Sequence, residues 1–213
     1  MLSDGSLSIV TFWTLITDFG DSAVMLPAAV TIALWLAAGG AWRAAFVWLT
    51  TFGTGVVLVA ITKIAFMGWG VGSAQLDFTG VSGHTMLATS VTLTAVYLLS
   101  RGLPRRHRRV LTAIGLTGTL AVAVSRVALE AHSVSEVCAG FAIGALVTGG
   151  FVLGARRLAP PQLAPGLMVA ALAVVCVAMH GHEAGTQGLI ARLAVYLSGH
   201  GAPYTRAIYA GIA

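Results

Sequence analysis

From Ser22 to Met179 the chain repeats one pattern. An apolar run gives way to a short polar break, and six such runs follow one another: Ser22 to Ala38, Ala44 to Phe66, His84 to Leu99, Val110 to Ala128, Val134 to Gly154 and Pro165 to Met179. A helix that crosses a bilayer needs about 20 mostly apolar residues. The pattern therefore predicts an all-α integral membrane protein, a six-helix bundle forming a single domain over residues 1–213, with no soluble domain attached. Composition points the same way. Hydrophobic residues make up 57% of the chain and charged residues only 9%, where a soluble domain carries roughly a quarter charged. Two flanking stretches, Leu7 to Ile16 and Gly188 to Leu197, suit short interfacial helices at the termini. Trp13 would sit at headgroup level in the first, and Leu189, Leu193 and Leu197 recur at helical spacing in the second. Asp4, not a basic region, precedes the first apolar run, so a cleaved signal peptide is not expected.

Charge is segregated between the breaks. Arg43, the group Arg101, Arg105, Arg106, Arg108 and Arg109, and the pair Arg156 and Arg157 fall in loops that six spans place on one side. The carboxylates Asp4, Asp18, Asp21, Asp77, Glu130, Glu136 and Glu183 all fall on the other. Basic loops stay cytoplasmic. Both termini and the loops after the second and fourth spans are thus expected outside, in the periplasm or beyond a cytoplasmic membrane. The net charge of +5 reads as membrane orientation, not as affinity for nucleic acid. Cys138 and Cys176 lie within apolar runs and read as small core residues, with a disulfide as the less favoured alternative.

The polar residues that interrupt this economy gather on the expected outer side. Lys63 and Arg126 lie near the outer ends of the second and fourth spans, and an ionisable residue in such a place is a functional candidate by default. Ser82, Gly83 and His84 begin the third span, and "SRVALEAHSVSEV", Ser125 to Val137, joins the fourth and fifth. These residue types suit phosphate chemistry. Lysine and arginine neutralise phosphoryl oxygens. The unpaired amides of a helix start, with Gly83 allowing close approach and Ser82 offering a hydroxyl, form an anion site. Two histidines permit division of labour, one attacking phosphorus and the other protonating the leaving oxygen. Glu136, four residues after His132, shares its helical face if the fifth span has begun, and a carboxylate there fixes an imidazole tautomer.

Ser82-Gly83-His84, followed downstream by Ser125-Arg126, five residues and His132, resembles the second and third motifs of the type 2 phosphatidic acid phosphatase family. The likeness covers Lys63 to Val137 and, loosely, most of the chain. It implies a six-span membrane fold with its site at the outer bilayer face, His132 as a nucleophile that forms a phosphohistidine, and His84 as general acid. It also implies a phosphate cradle of Lys63, Ser82, Gly83 and Arg126, with no metal and no cofactor. Two departures stand out. The family's first motif is a lysine, six residues and then Arg-Pro, whereas Lys63 is followed at that spacing by Gly70-Val71. Arg192 or Arg206 would have to fold back to replace the missing arginine. The residue four after the nucleophile, usually aspartate in the family, is Glu136.

Each residue alone has a plainer interpretation. Lys63 could snorkel at a helix end, Ser82 could be an N-cap, and Arg126 and His132 could be interfacial anchors. His180, His182 and Glu183 could suggest a metal cluster, a reading set aside in favour of solvated loop residues. Together, in order and on one side, the motifs predict a membrane phosphatase. It would hydrolyse a lipid phosphate monoester or pyrophosphate of polyprenyl, glycerolipid or lipid A type at the outer leaflet. Its expected partners are that lipid phosphate and membrane lipids. Transfer to another acceptor at the same site, or lipid-phosphate binding without turnover, are the alternatives. A transporter would need ionisable residues at the midplane.

Overall fold

The computed structural model describes residues 4–182 and 184–206. Glu183, and the side chain of Asp4, counted above among the outward carboxylates, lie outside the described residues. The chain folds into eight helices among these residues: α1 (Asp4–Asp18), α2 (Ser22–Ala38), α3 (Trp42–Trp69), α4 (Gly83–Ser100), α5 (Arg105–Ala128), α6 (Val134–Ala155), α7 (Pro165–Met179) and α8 (Thr186–Ser198). A 3-10 turn, Ala74–Leu76, and a lone bridge between Ser73 and Phe78 fill the long α3–α4 loop, and no strand occurs among the described residues.

Helices stand where apolar runs predicted them, with two extensions. Helix α3 continues to Trp69, and α5 starts at Arg105, inside the arginine-rich break. Proline cannot continue a helix from its N-terminal side but tolerates its first turn, and arginine is a good helix former, so Pro104 starts α5 where charge alone suggested a loop. By length and composition four stretches can cross a membrane: Leu7–Ala38, Trp42–Trp69, Arg105–Ala128 and Val134–Ala155. Helix α7 is apolar but only 15 residues long. Helix α4 falls short for a different reason. Thr85, Thr89, Ser90 and Thr94 point inward and are wholly buried.

That inward polarity marks α4 as the centre of the bundle. It packs against α2, α3, α5 and α6. Ser90 Oγ donates to Leu87 O at 3.1 Å, and Thr148 Oγ1 donates to Ser90 O at 3.3 Å across to α6. Between apolar helices in lipid there is little hydrophobic force, and close packing of small residues takes its place. Gly140 and Gly144, one helical turn apart on α6, provide it. A Cβ on Gly140 would stand 2.6 Å from Ser82 O, and one on Gly144 would stand 2.6 Å from Thr89 Cβ. The two backbones therefore touch, and the start of α4 is pinned beside the start of α6.

The two ends of the bundle differ. At the arginine-bearing end Trp48 is buried between α2 and α3, donates Nε1–H to Ala29 O at 2.9 Å and meets Phe52 and Phe151. Leu34, Phe46, Ile114, Leu146 and Val177 project from the flanks, as lipid-facing side chains do. Cys138 is exposed on α6 rather than in the core, and both cysteines are free. The polar groups collect at the opposite end.

Candidate active site

Three helix termini converge at that end. Helix α4 begins there, capped by Ser82, whose Oγ accepts from Thr85 N at 3.5 Å and lies 3.0 Å from Thr85 Oγ1. Helix α6 begins beside it with a capping box. Ser133 Oγ accepts from Glu136 N at 3.4 Å, and Glu136 Oε2 accepts from Ser133 N at 3.2 Å. Ser82 N donates to Glu136 O at 3.1 Å, tying the two starts together. Helix α5 ends opposite them. The amides of Ala131 and His132 both return to Arg126 O, at 3.0 and 3.2 Å, so the end of α5 holds His132 close to Arg126 in the fold.

A cavity of about 870 Å³ opens between these termini. Lys63, Gly83, His84, Arg126 and His132 line it, so five of the seven expected site residues share one chamber. Glu136 stands behind His132. The other exception is Ser82. It is fully buried, its hydroxyl is spent on the helix cap, and it does not line the cavity. Thr17, Ser22, Thr79 and Thr186 supply hydroxyls to the wall in its place.

His132 and Glu136 form the tightest pair. His132 Nδ1 lies 2.6 Å from Glu136 Oε2, and the carboxylate is wholly buried. Thr79 donates both its amide and its hydroxyl to Oε1, each at 2.6 Å. So many donors suit an ionised carboxylate, which can only accept. Nδ1 of His132 must then carry a proton, and Nε2 keeps its lone pair. Burial pushes the His132 imidazole below its ordinary value of 6.5, with Lys63 and Arg126 adding to the effect and the bond to Glu136 opposing it.

The second histidine has a carboxylate as well. His84 Nε2 lies 3.3 Å from Asp21 Oδ2. Asp21 also caps α2 through Ala23 N at 2.7 Å, so its rotamer is fixed by the helix it starts. The cations are held differently. Arg126 gives Nη1–H to Thr17 Oγ1 at 2.9 Å, while its buried Nε has no partner among the described residues. Lys63 Nζ donates to Gln187 Oε1 at 2.8 Å. A guanidinium N–H left buried and unpaired costs free energy unless an acceptor arrives, and an anion in the cavity would be that acceptor. Apolar residues of α2, α3 and α8, among them Leu26, Val56, Val59, Phe66, Leu189 and Ile190, form the rest of the wall.

Several neighbours were not singled out from sequence. Asp21 and Thr79 sit in loops expected on the correct side, yet no spacing rule connects them to the histidines. The S-x-x-E signature at Ser133 to Glu136 was available and marks the start of α6. Arg206 reaches Glu136 at 2.8 Å, whereas Arg192 is exposed on α8 away from the cavity. His180 stacks near Phe19 and lies 3.9 Å from Asp18. Among the described residues no three His, Cys, Asp or Glu side chains gather as a metal site.

Comparison with known proteins accords with this geometry. The PAP2 superfamily model matches residues 66–159. The chain is 34% identical over 199 residues to an uncharacterised 22.5 kDa protein in the cps region of Klebsiella pneumoniae, covering 91% of this chain and 95% of that one. Its structure is similar to the crystal structure of a transmembrane PAP2-type phosphatidylglycerolphosphate phosphatase from Bacillus subtilis, with a TM-score of 0.53 and 26% identity over 74% of this chain and 81% of the other. Family and fold together support a membrane phosphatase. The chain is an integral membrane protein and belongs to the PAP2 superfamily.

Proposed function

We propose that the protein hydrolyses a lipid phosphate at the outer face of a cytoplasmic membrane through a phosphohistidine on His132. The observation that carries this is the His132–Glu136 pair, 2.6 Å apart on a cavity that also holds His84, Lys63 and Arg126. Six spans, α2 to α7, cross the bilayer. Helices α1 and α8 lie at the outer surface, and the arginine-bearing end stays inside. The lipid phosphate enters the polar chamber, and its tails rest against the apolar wall between α2, α3 and α8.

The chemistry then follows from the residues. Lys63 and Arg126 neutralise the phosphoryl oxygens, and the backbone at Gly83 lets them come close to the start of α4. His132 Nε2 attacks phosphorus as Glu136 steadies the charge that grows on the ring. The bond to the departing oxygen breaks, and His84 gives that oxygen a proton. Neutral His84 next takes a proton from water, whose oxygen attacks the phosphohistidine. Inorganic phosphate leaves, and Nε2 regains its lone pair. No step calls for a metal ion. Polyprenyl, glycerolipid and lipid A phosphates or pyrophosphates all fit a polar chamber above an apolar wall. Among these, the likeness in fold to a phosphatidylglycerolphosphate phosphatase supports a glycerolipid.

The test is phosphate release by detergent-purified protein from a panel of these lipids, with EDTA present and His132→Ala as control. Release by the wild type alone is expected. Release by both proteins would remove His132 from the reaction. Transfer to an added lipid or sugar alcohol, with no free phosphate, would make the enzyme a phosphotransferase.

A further inference from the structure

After α8 the chain turns back across the mouth of the cavity. His200 Nδ1 lies 2.8 Å from Gly68 O, and Tyr204 N donates to Met67 O at 2.8 Å. The rings of His200 and Tyr204 meet edge to face, 5.7 Å apart. Gly70, which ends α3 in a left-handed conformation with φ of +68°, receives the Tyr204 ring. A Cβ there would come within 3.4 Å of two ring carbons. Both the backbone angle and the ring suit glycine at this position. These contacts make residues 199–206 a strap fastened to the last turn of α3.

The strap delivers Arg206. Its Nη1 donates to Asp77 Oδ2 at 2.6 Å, and its Nη2 donates to Thr79 Oγ1 at 3.2 Å and to Glu136 Oε2 at 2.8 Å. Glu136 Oε2 is the oxygen that also holds His132 Nδ1. One carboxylate oxygen thus bridges a guanidinium and the imidazole. Asp77 and Thr79 come from the α3–α4 loop, so Arg206 clamps that loop to the start of α6. Arg206, with Pro203, Tyr204 and Thr205, lines the cavity.

We propose that Arg206 is a positioning residue for the Glu136–His132 pair, and that the C-terminal strap is a working part of the active site. The proposal rests on the phosphatase function above. Arg206 fixes the carboxylate rotamer and opposes a second positive charge on His132. That imidazole is faced by Lys63 from α3, Arg126 from α5, Glu136 from α6 and, through Glu136, Arg206 from the strap, while His84 of α4 shares its chamber. Lysine has a point charge and cannot span Asp77, Thr79 and Glu136 with one planar fork.

The experiment compares full-length wild type, Arg206→Ala, Arg206→Lys and the exposed control Arg192→Ala. Phosphate release is followed against pH and lipid concentration. Arg206→Ala should lower kcat about 10- to 100-fold with little change in KM, and should move the acidic limb of the profile to higher pH. Arg206→Lys should recover part of both effects, millimolar guanidinium should recover part of the kcat of Arg206→Ala, and Arg192→Ala should match wild type. A wild-type kcat and acidic limb in Arg206→Ala would overturn the proposal while leaving the phosphatase function intact. If wild type itself releases no phosphate from any lipid, that function fails, and the titration of His132 followed by NMR of labelled histidine decides the rest. A rise of about one pH unit in Arg206→Ala supports the positioning role, and an unchanged titration overturns it.

Discussion

Asp21, the residue that starts α2, lies 3.3 Å from Nε2 of His84, the second residue of α4. The pairing joins two helices more than sixty positions apart and gives the proposed general acid a carboxylate of its own. Asp21→Asn should lower kcat about 10- to 100-fold, less than His84→Ala, because general acid catalysis contributes roughly 100- to 10,000-fold in all. The loss should shrink with p-nitrophenyl phosphate, whose leaving group needs no proton. An equal loss on both substrates would assign Asp21 to the fold alone, through its cap on α2.

Glu136 serves two masters, the capping box of α6 and the imidazole of His132. Glu136→Gln keeps the volume but turns an acceptor-only group into one that also donates. Either Thr79, at Oε1, or Ser133 and Arg206 with His132, at Oε2, would then face an NH2 where they now meet an oxygen. The expected cost is about 1–3 kcal/mol in stability, read by thermal unfolding in detergent. The accompanying fall in kcat should be roughly 1,000-fold or more, as for loss of the orienting carboxylate in a serine-protease triad. A variant of wild-type stability and activity would remove the carboxylate from both roles.

The pH profile follows from the burial of His132. The nucleophile must be neutral to attack. Burial disfavours the imidazolium, so the neutral form persists below the ordinary value of 6.5. As pH falls through the shifted value, His132 takes up a proton and the rate is lost. The acidic limb of kcat/KM should therefore lie below 6.5, and a limb centred above 6.5 would contradict the assignment.

Arg126 offers a direct test of the phosphate cradle. Its Nε is buried without a partner, and Thr17 takes only one of its N–H groups. Arg126→Lys should weaken binding of vanadate or inorganic phosphate by about tenfold or more, since the fork is lost though the charge remains. Unchanged anion affinity would place the bound phosphate elsewhere.

The contact of α4 with α6 should tolerate no bulk. A Cβ at Gly144 already meets Thr89 Cβ at 2.6 Å and Met86 O at 2.8 Å. Gly144→Leu should cost roughly 1–3 kcal/mol or more and separate Ser82 from Glu136. Thermal unfolding checks the first effect and lost phosphate release the second.

Much of this was legible in the sequence because a bilayer simplifies the code. Apolar runs located helices α2 to α7, and loop charge separated the arginine-bearing end from the end that holds the site. Motif spacing brought His84, Arg126, His132 and Lys63 to one chamber. What could not be read depended on side-chain direction and on distance along the chain. Ser82 stands at the right position, but its hydroxyl turns inward to cap α4. The hydroxyl-rich face of α4 looks less apolar than a span should, because its threonines serve the interior. Gly140 and Gly144 show a spacing of four that acquires meaning only against a partner backbone. Arg206, seventy residues from Glu136, was one of two arginines that could fold back to the site, and no local pattern separated it from Arg192.

The most direct measurement is to trap the intermediate. A lipid phosphate labelled on phosphorus is mixed with the enzyme, the reaction is quenched in base within milliseconds to seconds, and the protein is digested and mapped. An acid-labile, base-stable phosphoryl group on the peptide containing His132, absent in His132→Ala, is the expected result. Rapid turnover of the lipid with no label on the protein, or label on a peptide without His132, would contradict a phosphohistidine at this site.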